Sequence, residues 1–243
     1  MARATRIAVA LLLSAVAAQA EAGPPLITND PDTPGPGVWE INLAATGISG
    51  AGVLGLDAPD LDLNRGVGER VQLSMHAAWA HERDGNGWRS GLGDVEFGVR
   101  YRFMDAETSG MSLAIQPLYT RSWSAAARRR GLASEHPEWV VPVQLARPFG
   151  AFNAGLEVSR HFITSEPDAW QAGVFAGHDC WGGECLAEIN STRVDHAGAR
   201  TTFNLGNRHP IADGVDFLGS VGRQYGGREA AATVFYVGVQ IIR

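Results

Sequence analysis

Four ionisable side chains fall on one side of the segment from Gly93 to Phe103: Asp94, Glu96, Arg100 and Arg102. They alternate with Val95, Phe97, Val99, Tyr101 and Phe103. Successive side chains of an extended chain point to opposite faces, so this segment separates a charged face from an apolar one. Other alternating segments add Glu40, Arg70, Glu157 and Glu188 to the charged set. Acids and guanidiniums facing one another across a water-filled space have two uses. They form a charged constriction that selects what passes, or a salt-bridge network that holds strand register and fills the space. Asp94, Glu96, Arg100 and Arg102 are expected to pair across strands with Arg70, Glu40 or Asp62. The network is the preferred reading, because charges kept from water must be paired.

Other reactive residues are sparse. Cys180 and Cys185 flank Trp181-Gly182-Gly183-Glu184 and are expected to form a disulfide across a tight hairpin in an oxidising compartment. His76 stands two residues from Ser74 on one strand face, which is too far along a strand for a nucleophile–base pair, and no glycine-flanked nucleophile surrounds it. The seven histidines show no metal-ligand spacing. Every one of the 20 basic residues is Arg, which excludes a P-loop lysine and a Schiff-base lysine. No catalytic residue, cofactor or metal site is read from the chain, and no enzyme is expected. The net charge of −6 argues against a nucleic-acid partner.

The elements carrying these residues are strands. Period-2 alternation places strands near 38–47, 56–65, 69–82, 92–105, 110–123, 137–148, 151–163, 169–179, 185–194, 199–207, 214–223 and 230–242, about twelve in all. Gly-, Asn- and Asp-rich turns separate them. Residues 1–20 read as a cleaved signal peptide, with Arg3 and Arg6 ahead of an apolar run and Ala18-Gln19-Ala20 as the cleavage site. Residues 21–37, rich in proline, read as an extended periplasmic lead-in, and 38–243 as the barrel.

Alternation alone does not separate a soluble barrel from a membrane barrel, whose polarity is inverted. Three features favour the membrane. The strands are long enough to cross a tilted bilayer path. Full charges stand in mid-strand on the polar face. Trp39, Trp79, Trp88, Trp123, Trp139, Trp170 and Trp181 sit near strand ends, where aromatic girdles lie. The expected fold is an all-β, antiparallel, up-and-down transmembrane β-barrel in the outer membrane of a Gram-negative bacterium. An even strand count puts both termini at the periplasmic end. The external connections, 48–55, 83–91, 124–136, 164–168, 195–198 and 224–229, look too short for a large plug.

The lead-in Pro24-Pro25-Leu26-Ile27-Thr28-Asn29-Asp30-Pro31, the following Val38-Trp39-Glu40 and the strand Gly91-Leu92-Gly93-Asp94-Val95-Glu96-Phe97-Gly98-Val99-Arg100-Tyr101-Arg102-Phe103 resemble one family. It is the family named for the MetA pathway of phenol degradation. The resemblance implies an outer-membrane barrel associated with uptake of hydrophobic aromatic compounds, and no enzyme. The expected function is a passive channel or uptake barrel for small, hydrophobic or aromatic molecules. The alternatives are a closed scaffold barrel and a soluble periplasmic β protein. The expected partners are the bilayer, the barrel assembly machinery and an unidentified small solute.

Overall fold

The computed structural model describes residues 23–227 and 231–243. The expected signal peptide, 1–20, lies outside the described residues. The chain forms β1 (Trp39–Gly50), β2 (Val53–Val67), β3 (Val71–Asp84), β4 (Gly87–Met104), α1 (Ala106–Ser109), β5 (Ser112–Ile115), β6 (Leu118–Arg121), α2 (Ala125–Arg129), β7 (Glu138–Phe149), β8 (Phe152–Ile163), β9 (Ala169–Cys180), β10 (Gly183–Val194), β11 (Ala199–Ala212), β12 (Val215–Gly226) and β13 (Ala232–Ile242). All pairings are antiparallel and join strands adjacent in sequence, except that β5 and β6 each pair with β4 and β7 rather than with each other, and β1 closes the sheet on β13. Closure removes both sheet edges, so every strand backbone finds its partners within the sheet.

Among the described residues, thirteen strand segments make twelve staves, because β5 and β6 both lie between β4 and β7. The expected single strand at 110–123 is interrupted at Gln116-Pro117. Pro117 has no N–H for the ladder, and Pro142 on the facing β7 has none either. The break is bridged by Gln116 N–H donating to Pro142 O at 3.0 Å and Val99 N–H to Pro117 O at 3.1 Å. Two expected external loops shrink to tight turns, since β1 and β2 run to Gly50 and Val53, and β3 and β4 to Asp84 and Gly87.

The polarity is inverted. Leu43, Leu73, Phe97, Val99, Val143, Val174, Ile189, Leu205, Val221 and Val237 are exposed, while Asn42, Gln144, Glu157, Glu188, Asn190, Asn204 and Gln240 are buried. A soluble protein buries its large aliphatics, so this outer face fits hydrocarbon. Aromatics border the belt at both ends. Trp79, Trp88, Trp123, Trp139, Phe162, Trp170 and Tyr225 are exposed toward the end opposite the termini, and Trp39, Phe103, Phe149, Phe152, Trp181 and Phe217 toward the terminal end. No helix among the described residues is long and apolar enough to cross a membrane; the strands make the crossing.

Val174 is 52% exposed at the middle of β9, opposite Ile189 and Leu156. Val174→Arg is expected to destabilise the folded barrel in vesicles by about 2–4 kcal/mol. Val194→Arg, at the end of β10, is expected to cost about 0–1 kcal/mol. Urea unfolding in lipid vesicles measures both. Equal costs at the two positions would contradict the placement of the belt.

Candidate functional site: the lumen and its internal segment

The lead-in is extended, as its prolines dictate, but it lies inside the barrel and not beneath it. It enters beside Gly66, whose carbonyl accepts from Gly37 N–H at 3.0 Å. Asp32 then meets Arg102 at 3.2 Å, and its carbonyl accepts from Arg100 at 2.5 Å. Asp30 lies 3.9 Å from the Arg100 guanidinium. Asn29 lies beside the Glu157 carboxylate of β8. Beyond it, the backbone N–H groups of Ile27 and Thr28 donate to the two carboxylate oxygens of Glu188 on β10, each at 2.8 Å. Finally Ser220 Oγ donates to Pro25 O at 2.7 Å and Arg208 to Pro24 O at 3.2 Å. The segment therefore crosses the lumen from the β2–β4 wall to the β8–β12 wall.

The barrel wall is shaped for this segment. A Cβ at Gly173 would overlap Thr28 Oγ1, and one at Gly206 would press on Pro25 and Leu26. Leu26 packs with Phe175, Leu186 and Ala146, a small apolar patch on an otherwise polar inner wall. Burying a leucine is worth about 1.5–3 kcal/mol. Each bond from an amide to the charged Glu188 adds about 1.5–3 kcal/mol. These anchors hold the segment in one place.

The connection from β6 to β7, with α2, also turns toward the barrel wall. Ser124 caps α2 by accepting from Ala127 N–H at 3.1 Å. Asp94 accepts from Ser134 N–H at 3.1 Å and from Ser134 Oγ at 2.6 Å, and Arg130 donates to Ser90 O at 2.7 Å. Leu132 is thereby buried and lines a chamber of about 440 Å³ together with Leu26 and Ile27 of the lead-in. At the same rim, Arg160 bonds Asp168 at 2.9 Å and Asp195 at 3.0 Å over the Trp170 ring. That hydrogen bond holds the Asp195 carboxyl below the usual carboxylate range.

The eight residues expected to line the lumen divide into groups. Glu40 and Glu96 border a cavity of about 530 Å³ between the lead-in and the β1–β4 wall. Arg100 also borders it, but its guanidinium is engaged by Gln116, Asp30 and Asp32. Glu157 and Glu188 hold the lead-in, and Arg102 ties Asp32 to Asp105 and to Glu69 O. Asp94 anchors the β6–β7 connection. Arg70 is exposed in the turn between β2 and β3, outside the lumen, because Gly68 and the residues after it leave the ladder before the strand begins at Val71. The expected cross-strand pairs to Arg70, Glu40 and Asp62 do not occur among the described residues. The arginines turn instead to carboxylates and carbonyls that the lead-in brings in from elsewhere in the sequence. The sulfurs of Cys180 and Cys185 are bonded across the β9–β10 turn.

From the richest wall, sequence reading took Glu40 and Asp62 but missed Asp57 and Asp60. Asp57, Asp60 and Asp62 of β2 all face the 530 Å³ cavity. Asp60 and Asp62 share a face by strand period, but Asp57 belongs to the opposite phase. A bulge between Asp57 and Asp60, at Ala58-Pro59, restores it to the inside. His76 Nε2 lies 2.6 Å from Asp60 Oδ1, and Thr46 donates to Asp60 Oδ2 at 3.1 Å. Asn42 Nδ2 bridges Glu40 and Asp62 at 3.0 and 3.2 Å. Among the described residues, seven carboxylates border this cavity against two guanidiniums and the His76 imidazole. The alternation Asp60-Leu61-Asp62-Leu63-Asn64 was a legible signal for part of it.

Solved structures share this architecture. The COG4313 outer membrane channel from Pseudomonas putida F1 superposes with a TM-score of 0.71 at 11% identity, over 92% of this chain and 99% of that one. The KdgM porin, solved in complex with disordered oligogalacturonate, gives 0.60 at 12% identity, over 83% of this chain and 98% of the other. The NanC porin gives 0.59 at 12% identity, with the same two coverages of 83% and 98%. The fold is that of these outer-membrane barrels. No family model matches the sequence. No curated protein matches it either.

Proposed function

We propose that the chain is a passive outer-membrane channel for small solutes, with a lumen narrowed by its own N-terminal segment and biased toward cations. The observation that carries this reading is the acidic cavity left beside the lead-in. Its carboxylates outnumber its cationic side chains, and the arginines there are already held by the lead-in and by neighbouring side chains. Fixed charges of one sign around a narrow path raise the local concentration of counter-ions and repel co-ions. Glu40 and Glu96 are the earlier candidates that keep a selectivity role in this reading. Glu157, Glu188, Arg100 and Arg102 become anchors of the constriction. The fold shared with the COG4313 channel and the KdgM and NanC porins supports a channel in the outer membrane. A polyanion such as the oligogalacturonate seen with KdgM does not suit an acidic wall.

The resemblance to the MetA-pathway family would add hydrophobic aromatic solutes. The 440 Å³ chamber lined by Leu26, Ile27 and Leu132 is the part of the lumen with the chemistry to admit them. A second reading, a closed scaffold barrel, is favoured by the number of bonds that strap the lead-in across the lumen.

Single-channel recording of refolded protein in a planar bilayer separates the two, with heat-modifiable gel mobility as the folding control. Steady conductance with a cation-selective reversal potential is the expected result. A folded, inserted and silent protein would establish the scaffold reading.

A further inference from the structure

The lipid-facing side of β9–β12 is not a smooth wall. A groove of about 940 Å³ runs along it, walled by Val174, Ile189, Phe203, Leu205 and Val221. Its floor is low where two small residues, Ala176 and Ala187, stand opposite each other in the β9–β10 ladder. Glu188 also borders the groove, but its carboxylate is on the other side of the sheet, bonded to the Ile27 and Thr28 amides.

The head of the groove, toward the end opposite the termini, is polar. The outward side chains of β12 run Val221, Arg223, Tyr225. Arg223 therefore stands one outward position, about 6.5–7 Å, on the belt side of the girdle residue Tyr225. Its exposed guanidinium donates to Thr233 Oγ1 at 2.6 Å, and no carboxylate of the described residues lies within ion-pairing distance of it. Tyr225 is paired in the ladder with Thr201, which shares a hydrogen bond of 3.0 Å with Ser191. Arg193 follows Ser191 on the same face of β10. Asp195, beside Arg193, is bonded by Arg160 at 3.0 Å. Hydrocarbon offers these donors no acceptor, and an unpartnered charge facing the bilayer is costly. An apolar trough ending in lipid-facing guanidiniums and hydroxyls has the chemistry of an anionic lipid site.

We propose that this groove binds a phosphorylated glycolipid of the outer leaflet, its phosphates on Arg193 and Arg223 and an acyl chain along the trough. With the termini at the periplasmic end, the head of the groove lies in that leaflet. Arg193 is opposite Ala199 and Arg223 opposite Phe203, so the two stand two strands and four ladder positions apart. That is about 16 Å between backbones, a span for two separated phosphates and not for one. The hydroxyls of Ser191, Thr201 and Tyr225 lie between them, where a sugar headgroup would sit. The proposal does not depend on whether the lumen conducts.

Refolded full-length protein, freed of lipid, is mixed in detergent with diphosphoryl lipid A, and bound lipid is counted by native mass spectrometry. Monophosphoryl lipid A and phosphatidylglycerol are the comparators. One diphosphoryl lipid A per barrel is expected to be retained, roughly tenfold more tightly than either comparator. Arg193→Gln/Arg223→Gln is expected to weaken that binding by roughly tenfold or more. Ala187→Trp, which fills the trough and leaves every charge in place, is expected to weaken it as well. Arg147→Gln, over Phe149 at the terminal end, is expected to leave it unchanged. Heat-modifiable mobility shows that each variant has folded. Equal retention of phosphatidylglycerol would overturn the assignment to a glycolipid. Unchanged affinity in the double arginine variant, or unsaturable uptake of all three lipids, would leave only ordinary annular lipid and overturn the site.

Discussion

Deletion of residues 24–34 is expected to raise single-channel conductance by roughly twofold or more, while leaving the barrel folded. A twelve-stave barrel has a wider lumen than the eight-strand barrels whose side chains fill the interior. Here the extra width is occupied by the lead-in, which reaches both walls through Arg100, Glu157, Glu188 and Ser220. Its removal opens the cross-section and frees Arg100 from Asp30 and Asp32. Loss of two arginine partners also leaves positive charge unpaired, so cation preference is expected to fall as conductance rises. Gly173→Val provides a second route to the same state. Its side chain would take the space of Thr28 without deleting any residue. If both variants fold, shown by heat-modifiable mobility, and both conduct as the parent does, the lead-in is not the constriction.

Neutralising the β2 acids is expected to remove most of the selectivity. Asp57→Asn/Asp60→Asn/Asp62→Asn keeps side-chain size and changes the wall charge by three. The potassium-to-chloride permeability ratio, read from reversal potentials in a salt gradient, is expected to fall roughly tenfold toward unity. The parent's selectivity should itself weaken between about 0.1 M and 1 M salt, as the Debye length shrinks from about 10 Å to about 3 Å. Glu157→Gln, whose carboxylate accepts from Gln144 at 2.9 Å and is only 4% exposed, is expected to change selectivity far less. A triple variant as selective as the parent would move the filter elsewhere in the lumen.

Much of this architecture was legible in the chain. Val95, Phe97, Val99 and Tyr101 against Asp94, Glu96, Arg100 and Arg102 is a local pattern, and a strand reads it out wherever it sits. The same holds for the tryptophans at strand ends and for the short spacing between Cys180 and Cys185. Inversion of polarity followed from the charges in mid-strand. The break at Gln116-Pro117 was within reach too, since proline cannot donate to a ladder, but it shows only when Pro142 is placed opposite.

The contents of the lumen were decided by the tertiary structure. Periodicity states which side chains point inward, and not what they meet there. Glu188 lies 160 residues from Thr28, and Arg100 lies 68 from Asp32, so those contacts exist only once the barrel closes around the lead-in. The acidic wall needed a second non-local event. Strand period alone would turn Asp57 outward toward lipid, and the bulge at Ala58-Pro59 brings it to the cavity beside Asp60 and Asp62. The chain by itself determined a membrane barrel with a charged interior, because alternation is a property of neighbouring residues. Closure of that barrel decided which charges became anchors and which remained to face a solute, because only closure brings distant charges within reach of one another.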